Sequence, residues 1–296
     1  MVSLLLILLS SIVFTGVVVR VKSKAQGRKG PVLLQPFYDV IRLLRKGTVY
    51  SETTSFVFRI APSVYFATVV MAICVVPFAD CGGLFSFDCD FIFFAYVLSL
   101  GKFFSIIAAL DTGSSFEGMG ASREALFSML VEPAFFLLIG SLGLLTGHTS
   151  FASIFGMFHL GSSVSYAFAI ISAFVLLMIC MIENSRMPVD DPKTHLELTM
   201  IHEVMILDNS GFDLGLIMQA THLKFAMYSA LVANLFIGGL AFGWAVLAFL
   251  AIEVLCAVCV GIVESFMARH RMSHNAQFIL ALTSLSLLVF FGVKFI

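Results

Sequence analysis

Residues 183–203 read ENSRMPVDDPKTHLELTMIHE, a segment holding five acids together with Arg186, Lys193, His195 and His202. Around it the chain is mostly Phe, Leu, Ile, Val and Ala: of 296 residues 60% are hydrophobic, 12% are charged and 32 are Phe. A soluble domain carries about 25% charged residues, and a soluble core of this size has no room for so much apolar surface, so the solvent is lipid. In lipid a segment this polar belongs in a loop between two membrane-crossing helices. Its flanks fit, because one apolar run (163–183) ends where the segment begins and another (212–240) follows it.

Six more runs, near 2–19, 57–78, 91–110, 122–146, 243–266 and 275–295, are also long enough to span a bilayer. Together they predict an all-α integral membrane protein of about eight transmembrane helices, organised as a single membrane domain over 1–296. The run over 212–240 is the least apolar at its start, where His222 and Lys224 lie. The first run is not read as a cleavable signal, since no basic residue precedes it and its positive charges follow it. Those charges set the topology. Residues 20–59 carry nine Lys and Arg, whereas the loop near 79–90 has Asp80, Asp88 and Asp90 and no base. By the positive-inside rule, loops 20–58, 111–121, 184–211 and 267–274 are cytoplasmic and both termini lie outside an inner membrane. The net charge of −1 gives no basis for a nucleic-acid partner.

Within the first basic loop, GPVLLQPFYDVIRLLRKG (30–47) places Leu33, Leu34, Phe37, Val40, Ile41 and Leu44 at helical spacing. This predicts an amphipathic helix in the headgroup plane, opened by Pro31. In the acidic loop Asp191 can cap a helix whose first residue is Pro192, with Glu197 and Glu203 about 120° apart around it. Glu183 ends an apolar run, where a lone charge is costly, and Arg186 three residues on is placed to pair with it.

Few charges lie in or beside the spans: Lys102, Glu132, Lys224, Glu253 and Glu264, with Asp111, Arg123 and Glu183 at helix mouths. Such a residue marks a pathway or a pairing. Glu132 is the clearest, followed by Pro133 and an apolar stretch; for Lys224 a snorkelling side chain is the bland reading. Cys256 and Cys259, one turn apart in a span, read as packing residues, while Cys81 and Cys89 share an external loop and can pair if that side is oxidising. His202-Glu203 is not a zinc-protease motif, because position 206 is Ile.

Taken together, these residues resemble a known family. Glu183-x-x-Arg186-x-Pro188-x-Asp190-x-Pro192, followed by Glu197-Leu198 and Glu203, resembles the acidic loop between the fifth and sixth helices of membrane subunit 1 of respiratory complex I. GRKGPVLLQPFYDVIRLL (27–44) resembles that family's glycine–proline stretch and surface helix. Arg123 and Glu132 match an arginine–glutamate pair, and LKFAMYSALVANLF (223–236) resembles its sixth helix. The shortened QGRKGP, Val232 in place of a usual glutamate, and Glu264 in place of an arginine resemble instead the group 4 energy-converting hydrogenase branch, which includes formate hydrogenlyase.

The resemblance implies a membrane anchor and coupling subunit without catalytic residues or bound cofactor of its own. Its partners would be a peripheral iron–sulfur small subunit, a hydrogenase-like large subunit with a nickel–iron site, antiporter-like membrane subunits and lipid. Glu183, Asp190, Asp191, Glu197 and Glu203 would form the entrance of a proton or sodium path, held by Arg123 and Arg186. Glu132 would carry the path inward, with Glu253 and Lys224 as its continuation. Arg28, Lys29, Gln35, Asp39, Arg42, Arg45 and Lys46 would dock the arm. The competing readings are a quinone-chamber subunit of a respiratory complex and a stand-alone ion transporter.

Overall fold

The computed structural model describes residues 1–79, 81–158, 163–190 and 200–295, with the backbone alone at Ser163 and Ser273. The first helices are α1 (Val2–Ala25), α2 (Gln35–Leu44), α3 (Phe56–Val75), α4 (Asp90–Asp111), α5 (Ser115–Thr146) and α6 (Phe151–Met157). They are followed by α7 (Ser163–Glu183), α8 (His202–Met205), α9 (Gly211–Ile237), α10 (Phe242–Phe266) and α11 (Met272–Lys294). Seven of these, α1, α3, α4, α5, α7, α10 and α11, are long and apolar enough to cross a membrane. The eighth long helix, α9, has 27 residues and so the length, but carries Asp213, His222 and Lys224. It is the centre of the bundle: α1, α2, α3, α7 and α10 all pack on it, and nearly every residue from Leu223 to Leu235 is buried. A helix that faces protein rather than lipid does not need an apolar surface all round, which is why the run over 212–240 reads as the weakest.

The loops gather at two ends, in the alternation that the charges set. At the basic end Val49 N–H donates to Ser210 Oγ (3.0 Å), Ser55 N–H donates to Asp111 (2.7 Å) and His270 N–H donates to the Pro188 carbonyl (2.9 Å). At the other end the Asn234 side chain donates to the Pro77 carbonyl (2.9 Å) and accepts from Ala79 N–H (3.1 Å). There Asp90 accepts from Ser150 Oγ (3.0 Å) and Phe151 N–H (2.6 Å), which holds the start of α6. Asp80 and residues 191–199, with Asp191, Lys193, His195 and Glu197, lie outside the described residues, and so does the helix expected from Pro192.

The surface helix begins four residues later than expected. It opens with Pro36 in its first turn and not at Pro31. A helix starting at Pro31 would have had Pro36 in its interior, where the ring clashes and a backbone donor is lost. The helix α2 lies against α1 and α9. Two glycines make that seat. A Cβ on Gly16 would overlap the Leu33 carbonyl oxygen, and one on Gly211, at φ +52°, would overlap the carbonyl oxygen of Gly47. Gly211→Val is therefore expected to lift the 45–50 loop from the start of α9. Trypsin cleavage after Arg45 or Lys46 in detergent should become faster, and unchanged cleavage would count against this seat.

Candidate functional site

The spacing of α5 builds the site. Glu124, Ser128 and Glu132 follow at four-residue intervals and so share one face of the helix. On α4, Ser99 and Lys102 are three apart and face them. Lys102 Nζ lies 2.6 Å from Ser128 Oγ, 3.2 Å from Glu124 Oε1 and 2.9 Å from Glu183 Oε1, and Ser99 Oγ donates to Glu132 Oε1. From α9, Lys224 Nζ reaches Glu183 Oε2 at 3.2 Å and the Glu183 carbonyl at 2.9 Å, lying over the Tyr65 ring. Two ammonium groups thus hold one carboxylate, and a second carboxylate balances the charge. Burying a charge costs several kcal/mol per ion, which only well-placed partners offset.

Beside this quartet is a cavity of about 30 Å³, bordered by Ser99, Lys102, Ser128, Glu132, Glu183 and Tyr228. It has room for a water molecule or two, with several polar partners around it. Toward the basic end, a cleft of about 70 Å³ is bordered by Ser185, Arg186, His202, Glu203 and His222. Ser185 joins cleft to quartet, donating to Glu124 Oε2 at 3.3 Å. Burial holds the His202 imidazole below its usual pKa; Glu124 opposes this, while Lys224, Lys102 and Arg186 add to it. The ladder therefore runs from the cleft through Ser185, Glu124 and Lys102 to Glu132.

Residues 1–293 match the model of a family described as NADH dehydrogenase. The chain belongs to that family. It is similar to hydrogenase-4 component C of Escherichia coli (strain K12), 28% identical over 232 residues, which cover 78% of this chain and 72% of that one. Formate hydrogenlyase subunit 4 of the same organism is 29% identical over 221 residues, 73% of this chain and 68% of that one. The fold is that of a chain in the membrane-bound sulfane sulfur reductase, an archaeal respiratory membrane complex. The two superpose with a TM-score of 0.80 at 17% identity, covering 98% of each chain.

Several pairings differ from those expected. Glu183 does not pair with Arg186. At the end of α7, Ser185 N–H bonds the Ile182 carbonyl (3.0 Å) and Arg186 N–H bonds the Met181 carbonyl (2.8 Å), while Ser185 takes φ +48°. This left-handed stop turns Arg186 off the helix face. Arg186 instead meets Glu264 (3.4 Å) and stacks over Phe225, and Lys22 meets the other oxygen of Glu264 (3.4 Å). Arg123 donates to the Met200 carbonyl (3.0 Å). Asp190 is buried, paired with Arg269 (2.9 Å) and accepting from Ile201 and His202 N–H. Glu183 is the last residue of α7, as expected, and its carboxylate meets Lys102, nine residues before the end of α4. Glu253 is buried apart from the ladder, accepting from Ser229. Arg28, Lys29, Arg42, Arg45 and Lys46 are exposed, and Gln35 donates to Asp39 (2.9 Å), which lies 3.6 Å from Arg42. Cys81 and Cys89 are separate thiols.

Glu124 has no role assigned from the sequence, although its spacing from Ser128 and Glu132 is visible there. The lysines that hold Glu183 are not foreseeable, being 81 and 41 residues away. Lys224→Met is expected to destabilise the protein by about 3–5 kcal/mol, since it breaks a buried pair. With Glu183→Gln added, Lys102 and Glu124 remain balanced. The loss in the double variant should then fall short of the sum by about 1 kcal/mol or more. Denaturant unfolding in micelles measures this, and strict additivity would mean that the pair carries no coupling.

Proposed function

We propose that this chain is the membrane anchor and coupling subunit of an energy-converting, hydrogenase-type complex, turning a redox event in a peripheral arm into ion movement. The observation that carries the reading is the ladder itself: polar groups in contact from a cleft at the basic end through Ser185 and Glu124 to Lys102, and a cavity that Lys102 and Glu132 both border. The relatives are in keeping with it, since both are named as parts of hydrogen-metabolising enzymes. The basic end faces the cytoplasm of an inner membrane, with both termini on the other side. There the exposed Arg28, Lys29, Arg42, Arg45 and Lys46 offer a docking face for an iron–sulfur small subunit and a large subunit with nickel–iron. This chain binds no cofactor itself and supplies the path.

The electrostatics suffice for the task. Moving one charge across 100 mV takes about 2.3 kcal/mol, and one partner of a buried ion pair is worth a comparable amount. A charge change near the cleft therefore has enough leverage to shift a proton between neighbours in the ladder. Its far end points to the next subunit. Glu132 and Ser99 are half-buried beside exposed Tyr96, Leu100 and Met129 on the α4–α5 flank. An antiporter-like subunit seated on that flank would both cover the carboxylate and receive the ion.

Two measurements test this. With Glu132→Gln, assembly and electron transfer from an artificial donor should persist while ion movement into vesicles falls strongly; wild-type ion movement would remove Glu132 from the path. A cysteine at Lys46 should react with maleimide in the chain alone and be shielded in the complex. Equal labelling in both would mean that the arm docks elsewhere.

A further inference from the structure

Lys102 is a charge in a span to which sequence reasoning assigns no part in the path. Its ammonium nevertheless sits at the junction of the ladder, touching Glu124, Glu183 and Ser128, and Lys102 borders the same cavity as Glu132. Lys224 is placed differently: its contacts are the Glu183 carboxylate and carbonyl, and it does not border the cavity. One lysine is thus tied on one side only, while the other stands between two acids and the next acid inward.

We propose that Lys102 is the proton carrier of the ladder, passing a proton across the cavity from the Glu124–Glu183 side to Glu132; this rests on the coupling role proposed above. In the forward step an N–H bond of the ammonium breaks, its electron pair stays on Nζ, and an O–H bond forms on Glu132. The transfer is direct or passes through a cavity water that gives one proton as it takes another. The neutral amine then takes the proton of Glu124 or Glu183, whichever has been protonated from the cleft. This restores the ammonium and the carboxylate; one proton has moved inward and nothing is oxidised or reduced. The order is set by charge. While both carboxylates are ionised, two counter-charges hold the ammonium. Protonating one removes a counter-charge, and the ammonium then gives up its proton more readily.

An arginine separates carrier from counter-ion, since it keeps the charge and the carboxylate pairing but does not deprotonate in proteins. The complex is purified through a tag on this chain and placed in vesicles as wild type, Lys102→Arg, Glu132→Gln and the charge-balanced Lys102→Met/Glu124→Gln. Proton movement is followed with a pH-sensitive dye, and electron transfer from an artificial donor serves as the assembly control. Lys102→Arg should move protons about 100-fold more slowly or worse, the scale of a positioned proton-transfer group. Wild-type proton movement in Lys102→Arg, with Glu132→Gln still silent, overturns the carrier role and leaves the coupling reading standing. Normal movement in both variants overturns the coupling reading itself. If the larger arginine prevents assembly, the charge-balanced double variant is compared with Glu124→Gln alone: proton movement slower than in Glu124→Gln supports the carrier role, and movement at the rate of Glu124→Gln overturns it.

Discussion

Glu183 sits between two lysines because α7 stops where it does. The left-handed turn at Ser185 ends the helix there, and the carboxylate meets lysines from the interiors of α4 and α9. A bare carboxylate there would cost several kcal/mol, so partners must come from other helices. Lys102 arrives from α4 and Lys224 from α9, and Glu124 on α5 balances the second cation. Four helices are thereby fixed in rotation and depth about one group. The cavity, the alignment of α4 with α5 and the reach to Glu132 all follow from that fixing.

Much of the fold is legible because lipid imposes simple rules. The apolar runs mark the long helices, and the asymmetry of Lys and Arg sorts the loops into the two ends where the structure gathers them. What escapes is decided by contacts between distant residues. Arg186 lies three positions from Glu183, the spacing of a helical ion pair, but a serine in a conformation that usually takes glycine breaks the register. Nothing local announces that turn. The start of α2 differs from expectation for the opposite reason: two prolines are available, and only the second leaves no proline inside the helix. The face shared by Glu124, Ser128 and Glu132 is readable from spacing, but its meaning depends on Lys102, which spacing on another helix cannot reveal.

The two ends of the bundle are fastened by different chemistry. At the basic end Glu264 bridges Lys22 and Arg186, and Asp190 holds Arg269. These pairs join α1, α10, the turn after α7 and the loop before α11. At the opposite end the ties are mostly neutral: Asn234 meets the backbone of Pro77 and Ala79, and Ser150 meets the Ser86 hydroxyl and the carboxylate of Asp90. An added charge therefore meets many responsive neighbours at one end and few at the other. The responsive end also holds the cleft bordered by Arg186, His202, Glu203 and His222.

A ladder that alternates cations with acids has a physical advantage over one made of acids alone. Two ionised carboxylates cannot lie close in a medium of low dielectric without one taking up a proton, and a site filled in that way has nothing left to accept. Placing Lys102 and Lys224 among Glu124 and Glu183 keeps the cluster near neutrality with its acids ionised. Beyond the cavity the partner of Glu132 among the described residues is a hydroxyl, that of Ser99, and no counter-charge among them is joined to it. The step from the balanced cluster to that lone acid is the point where neutrality is lost. It is therefore where a charge outside this chain, at the cleft or on the α4–α5 flank, has the most control over whether a proton moves.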